Sequence, residues 1–174
     1  MLKVALLIGL AVIVVLVTTT LLYGRSKVQP DGSLLLQGEA PFSAELNRSF
    51  DRIVSADGLK AWWLGTLSTV EATPGWPAPG EKLSFDMGST RVTYTSVTVD
   101  RPRRMVARGE YPDGVSTITH ELLDGGAGRA TYRKTVQIQL KPETGTLKAW
   151  LLGAIVGFSV PRECAKAAAY ASQL

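Results

Sequence analysis

Residues 129–140 read Arg-Ala-Thr-Tyr-Arg-Lys-Thr-Val-Gln-Ile-Gln-Leu. Side chains two apart in a strand share a face. On that period Ala130, Tyr132, Val136, Ile138 and Leu140 point one way, with Lys134 among them, while Thr131, Arg133 and Gln137 point the other. The segment just before, 115–123, repeats the pattern: Ile118, His120 and Leu122 have one parity. A glycine turn, Asp124-Gly125-Gly126, separates the two. Further back, 104–110 runs into Tyr111-Pro112-Asp113-Gly114, and 91–99 into Asp100-Arg101-Pro102. Residues 82–87 alternate Leu83, Phe85 and Met87, and 67–72 ends at the loop Pro74-Gly75-Trp76-Pro77. Consecutive strands joined by short Gly, Pro and Asp turns predict an antiparallel meander rather than a parallel sheet.

Outward from the strands the period becomes helical. Leu34, Leu35 and Leu36 start a strand ahead of the meander. Ser43 can cap a helix whose apolar positions Leu46, Phe50, Ile53 and Val54 recur at helical spacing, and Asp57 and Gly58 interrupt it. A second short turn, 59–63, presents Trp62 and Trp63. At the other end 148–160 is apolar, and Pro161 is expected to open a separate Ala-rich helix to about Ser172. The run 149–160 is too short to span a bilayer as a helix, so it reads as buried or interfacial. Its Gly153 and Gly157 suit close packing on a sheet, with a membrane packing face as the alternative. One helix cannot hide both faces of a flat sheet. A bent sheet wrapped around the terminal helix satisfies the burial, which predicts an α+β fold with an internal cavity.

Composition removes several function classes. The 174 residues suit one domain and a short extension. One cysteine, Cys164, excludes an internal disulfide framework and Cys-rich zinc patterns; one histidine, His120, excludes a His-based metal cluster. No metal and no cofactor are expected. Lys3, Arg25 and Lys27 account for most of the net charge of +4, and the remainder is nearly neutral, giving no case for nucleic acid. Phosphate-loop, HExxH, CxxC and GxSxG motifs are all missing from the sequence. The sequon Asn47-Arg48-Ser49 falls inside a predicted helix and reads as chance. Arg101, Arg103 and Arg104 read as a solvated hairpin tip, with anionic headgroups as the alternative. Cys164 reads as a small buried hydrophobe.

Residues 4–23 carry no charge and would measure roughly 30 Å as a helix, the thickness of a hydrocarbon core. A cleavable signal usually has an apolar region of about 7–15 residues ending at a small-x-small site. This run is longer, ends in Thr-Thr-Thr-Leu-Leu-Tyr, and is followed by Arg25 and Lys27. The expectation is a retained single-pass anchor over 1–27, a tether over 28–37 and a globular domain over 38–174. The positive-inside count is a tie across the span. The globular domain is favoured as extracytoplasmic.

Three phrases carry a resemblance. Leu59-Lys60-Ala61-Trp62-Trp63, then 98–106 (Thr-Val-Asp-Arg-Pro-Arg-Arg-Met-Val), then 124–132 (Asp-Gly-Gly-Ala-Gly-Arg-Ala-Thr-Tyr) follow one another as in the START-like or SRPBCC superfamily, which 38–174 resembles. That superfamily includes polyketide cyclases and the birch-pollen-allergen-like proteins. The resemblance implies a helix-grip fold, a curved antiparallel sheet gripping a long C-terminal helix over a cavity. It also implies binding of lipids, polyketides or other apolar molecules, with catalysis in only some members. Two features depart from it: Pro161 divides the terminal helix, and the stretch before it is unusually apolar.

The expected function is a membrane-anchored domain binding an apolar small molecule or lipid. The rivals are a cyclase- or hydrolase-type enzyme in the same cavity, using His120 and an acid, and a scaffold whose surface binds a protein partner. Strand parity turns Phe85, Ile118, His120, Tyr132, Lys134 and Val136 inward, and Trp62 joins them as a candidate cavity wall. His120, Tyr132 and Lys134 are the polar groups that could orient a ligand in an apolar pocket. The competing reading of His120 is a structural one, a buried ring satisfied by a carbonyl or an acid such as Glu121. No residue is singled out as catalytic.

Overall fold

In the computed structural model, which describes residues 27–63 and 69–173, the alternating segment is strand β8 (Arg129–Leu140), with the expected boundaries. Before it come β1 (Lys27–Val28), β2 (Leu34–Ser43), helices α1 (Leu46–Val54) and α2 (Ala56–Trp62), and strands β3 (Val70–Ala72), β4 (Lys82–Met87), β5 (Thr90–Asp100), β6 (Arg104–Tyr111) and β7 (Gly114–Gly126). Helix α3 (Thr146–Ala171) closes the chain. One eight-stranded sheet has the order β1-β2-β8-β7-β6-β5-β4-β3, and every neighbouring pair is antiparallel. Strand β2 therefore lies beside β8, while α1 and α2 carry the chain to β3 at the far edge. Register shifts at Ser96/Thr98 and Asp124/Gly126 mark bulges, which bend strands and raise their twist.

The inward parity read from the sequence holds. Ile118, His120 and Leu122 are buried on β7, as are Ala130, Tyr132, Lys134 and Val136 on β8. They face α1, α2 and α3, whose contributions to the core include Phe50, Ile53, Leu59, Trp62, Cys164 and Ala167. At roughly 1.5–3 kcal/mol for each large side chain removed from water, this shared core is the main force holding helices to sheet.

Three local expectations are corrected. Ser43 caps nothing: it ends β2, paired with Arg129, and α1 starts after Glu45 without a side-chain cap. The break between α1 and α2 falls at Ser55, whose hydroxyl accepts the Gly58 amide at 3.0 Å, so Asp57 and Gly58 lie in the first turn of α2. A Cβ on Gly58 would stand 1.8 Å from the Arg52 carbonyl oxygen, so only glycine fits the corner. Pro161 does not divide the terminal helix; α3 runs through it. Proline there lacks the amide that would bond the Gly157 carbonyl, but tertiary packing holds the segment helical. At Gly38 a Cβ would lie 3.0 Å from Val160 Cγ1 and 3.1 Å from both Cys164 Sγ and Pro161 Cα, so the helix rests directly on the backbone of β2.

Two of the hairpin arginines have acidic partners, Arg101 with Asp51 at 3.0 Å and Arg104 with Glu121 at 3.7 Å. Ser49 of the sequon is buried in α1. Among the described residues no helix is long and apolar enough to cross a membrane. The expected anchor, 4–23, lies outside the described residues.

Candidate functional site

Side-chain size along α3 decides where the interior is filled. Its C-terminal half turns Cys164, Ala167, Ala168 and Ala171 inward, all buried, and such small groups let a helix approach a sheet closely. Its N-terminal half presents Leu152, Val156 and Val160 to a cavity of about 440 Å³ beneath the sheet. Val92, Ile118, Val136, Ile138 and Leu140 form the sheet side, and Pro112, Asp113 and Gly114 of the β6–β7 turn reach one end.

Two polar groupings interrupt this apolar wall. Lys134 is 1% exposed, and its Nζ donates to the carboxylate of Glu163 on α3. The same ammonium lies 4.0 Å from the centroid of the Trp63 ring. A buried ammonium is tolerated only when paired and hydrogen-bonded, and here a carboxylate and an aromatic face share that task. The second grouping is formed by three strands: Tyr94 from β5 shares hydrogen bonds with the Tyr111 hydroxyl at the end of β6 and with Ser116 Oγ on β7, the latter at 2.9 Å. Burial, with Tyr111 beside it, holds the Tyr94 phenol well above its ordinary pKa, and burial raises Tyr111 likewise. Both phenols therefore stay protonated at neutral pH and can donate. The cavity thus offers hydroxyl donors, an ammonium and a carboxylate within an apolar enclosure, suited to holding an amphiphile by its polar end.

Of the residues expected from sequence, Ile118, Lys134 and Val136 line this cavity. Trp62, His120 and Tyr132 are brought together in the packed layer beside it, and Phe85 packs apart from them against Trp63 and Tyr94. Trp62 donates its indole N–H to the Ile53 carbonyl at 3.0 Å and sets its ring edgewise to His120 and Tyr132, with centroids at 6.1 and 5.8 Å. Phe85 stacks on Tyr94, 5.9 Å away. His120 Nδ1 meets the Tyr132 hydroxyl at 2.7 Å. Burial, and then the nearby charge of Lys134, lower the His120 pKa from 6.5 to about 3, so the ring is neutral. Burial also raises the Tyr132 phenol well above its usual value. His120 instead borders a separate void of about 10 Å³, room for one water at most.

Tyr94, Tyr111, Ser116 and Glu163 belong to the cavity wall and are not singled out from sequence, whereas Trp63, which the sequence presents beside Trp62 as a possible ligand wall, lines it as well. Tyr94 was within reach, since it shares parity with Val92. Glu163 continues the spacing Val156, Ser159, Val160, and the supposed division at Pro161 concealed it. Burial pushes the Cys164 thiol up to about 11, and the residue packs as an apolar side chain. Among the described residues no cluster of His, Cys, Asp and Glu could hold a metal ion.

A bent antiparallel sheet gripping a C-terminal helix over a cavity defines the helix-grip class. No protein-family model matches the sequence, and no curated protein matches it. Solved structures do. Norcoclaurine synthase from Thalictrum flavum, in complex with dopamine and hydroxybenzaldehyde, aligns with a TM-score of 0.57 at 12% identity, over 82% of this chain and 88% of that one. Ara h 8.0201 aligns at 0.60 and 12% identity, over 80% and 98%. The di-domain ARO/CYC protein StfQ of the steffimycin biosynthetic pathway aligns at 0.62 and 13% identity, over 80% of this chain and 51% of that one. At such identities the likeness establishes the fold alone, and the neighbours include both a synthase and a cyclase.

Proposed function

We propose that this domain binds an apolar small molecule or lipid in the cavity between β5–β8 and the first half of α3. Lys134, Glu163 and the Tyr94–Tyr111–Ser116 group orient the polar end of that ligand. The observation that carries the reading is the cavity itself: about 440 Å³, walled by Val, Ile and Leu, with its polar groups gathered on a few side chains. Ligand pockets fall in the range of roughly 300–1,000 Å³ and have this composition. Residues 4–23 fit the same reading as a single-pass anchor, because apolar ligands concentrate where the bilayer is. The domain is proposed to lie on the extracytoplasmic side, because so short an N-terminal tail is easily left in the cytoplasm while the remainder is exported. The test is to incubate detergent-extracted protein with a lipid extract, remove unbound material and identify co-purifying molecules by mass spectrometry. A stoichiometric apolar ligand is expected. A cavity that returns empty from every extract would contradict binding and favour the scaffold.

A second reading has one observation in its favour. Lys134 and Glu163 place an amine and a carboxylate side by side in the cavity wall, a pairing that can move a proton. An enzyme of this kind would work through those two residues, since His120 borders only the small void. Release of a chemically altered ligand, lost in Glu163→Gln, would decide for catalysis; recovery of the ligand unchanged decides for binding.

A further inference from the structure

The outer face of α3 is apolar where solvent would favour polar groups. Leu147, Leu151, Ile155 and Phe158 are 77%, 46%, 57% and 41% exposed. At 3.6 residues per turn these positions fall on one narrow stripe, which runs roughly 16 Å along the helix. The Arg162 guanidinium lies over the Phe158 ring at 3.6 Å from its centroid, so the stripe ends in a cation. Ile155 also belongs to the cavity wall, as does Leu152, the residue next to Leu151 on the side of the helix that faces the cavity.

Register places the N-terminal end of this stripe at a particular pole of the domain. Gly114 pairs with Leu140, Ile138 with Leu34, and Leu34 with Val28, so the start of β7, the end of β8, the start of β2 and the whole of β1 lie together. The N-terminus of α3 is fixed there too, through the Lys141 amide on the Asp113 carbonyl at 2.8 Å and the Lys148–Asp113 ion pair. The chain enters the described structure at that same pole, at Lys27. Only residues 24–26 separate Lys27 from the charge-free run that ends at Tyr23. Four Cα steps reach at most about 14 Å.

We infer that the stripe Leu147, Leu151, Ile155 and Phe158 docks on a lipid bilayer and opens the cavity onto it. This rests on the reading of 4–23 as a membrane anchor. If that run sits in a bilayer, three residues cannot hold β1 away from the surface, and β1 shares its pole with the start of the stripe and with the end of the cavity that Pro112, Asp113 and Gly114 reach. An amphipathic helix lying in the interface buries its apolar face about 5–10 Å into the headgroup boundary and turns cations towards the headgroups, the role open to Arg162 and Lys148. The ligand class sharpens accordingly to a bilayer-partitioning amphiphile, which enters through Ile155 without crossing water.

The test uses the full chain reconstituted in phosphatidylcholine vesicles containing some phosphatidylglycerol. A polarity-sensitive fluorophore is attached at Leu151→Cys or, for comparison, at Asp124→Cys on the opposite hairpin; Cys164 is buried and does not compete for the label. Flotation reports the anchor, and quenching by brominated lipid or aqueous iodide reports what covers the label. Docking predicts flotation, bromolipid quenching and a blue shift at 151, and iodide quenching alone at 124. A chain that floats while both labels answer only to iodide overturns docking and leaves the anchor standing. A label at 151 shielded from both quenchers means that protein covers the stripe, a second copy or 4–23 itself, and also overturns docking. A chain that does not float defeats the anchor reading, and this inference falls with it.

Discussion

Replacing Lys134 by Met keeps the aliphatic stem and removes the ammonium, leaving the Glu163 carboxylate facing a mostly apolar wall. Breaking a fully buried ion pair from one side costs about 3–5 kcal/mol, because the remaining charge loses its counter-ion without regaining water. Glu163 retains 18% side-chain exposure at the cavity, which solvates it in part. The contact of the ammonium with Trp63 is lost as well, adding about 0.5–2 kcal/mol. The expected net destabilisation is about 2–4 kcal/mol. Urea unfolding followed by circular dichroism reads it: with m of about 2 kcal/mol per M, the midpoint falls by about 1–2 M. The double variant Lys134→Met/Glu163→Leu removes both charges and should recover most of the loss, since apolar replacement of a buried pair is often neutral. A single variant within about 0.5 kcal/mol of the parent would refute the argument. So would a double variant no more stable than the single.

His120, with its pKa lowered by burial to about 3, takes up its proton later in the folded chain than in the unfolded one. Its contribution is therefore full above about pH 6.5 and is lost as pH falls from there towards 3, by several kcal/mol at about 1.4 kcal/mol per unit. His120→Phe should flatten stability between pH 4 and 6.5, and an unchanged slope would show that another group controls it. Gly38→Ala forces a methyl against Val160, Cys164 and the Pro161 backbone and should cost about 1–3 kcal/mol in a thermal or urea melt; a neutral result would mean that α3 does not rest on β2 so closely. Val156→Trp fills the cavity from the helix side and should weaken binding of a fluorescent fatty acid by at least about tenfold, 1.4 kcal/mol, while the melt stays near that of the parent. Undiminished binding would place the ligand elsewhere.

What the sequence made legible was local and periodic. Strand β8 has one face in the core and one towards solvent, so its alternation marks both its ends and its inward side, Lys134 included. The partners of those inward groups were harder to see. Glu163 is 29 residues from Lys134, and the phase of a helix against a sheet is written in packing that no short window contains. The neighbours Trp62 and Trp63 have the same composition around them, and only the position of α2 sends the first into the core and the second to the cavity. Tyr94, Tyr111 and Ser116 meet through the register of three strands. Pro161 reads locally as the first turn of a new helix, and the close packing of α3 on Gly38 keeps the helix continuous through it.

Photolabelling reads the central claim most directly. A long-chain alcohol carrying an alkyl diazirine is irradiated with the full-length protein, and adducts are mapped by peptide mass spectrometry. The account predicts adducts in β8 and α3 at Val136, Leu152 and Val156, competed by unlabelled alcohol and lost in Val156→Trp. Adducts that ignore both the competitor and the tryptophan, or that fall only on the exposed side of the domain, would contradict it.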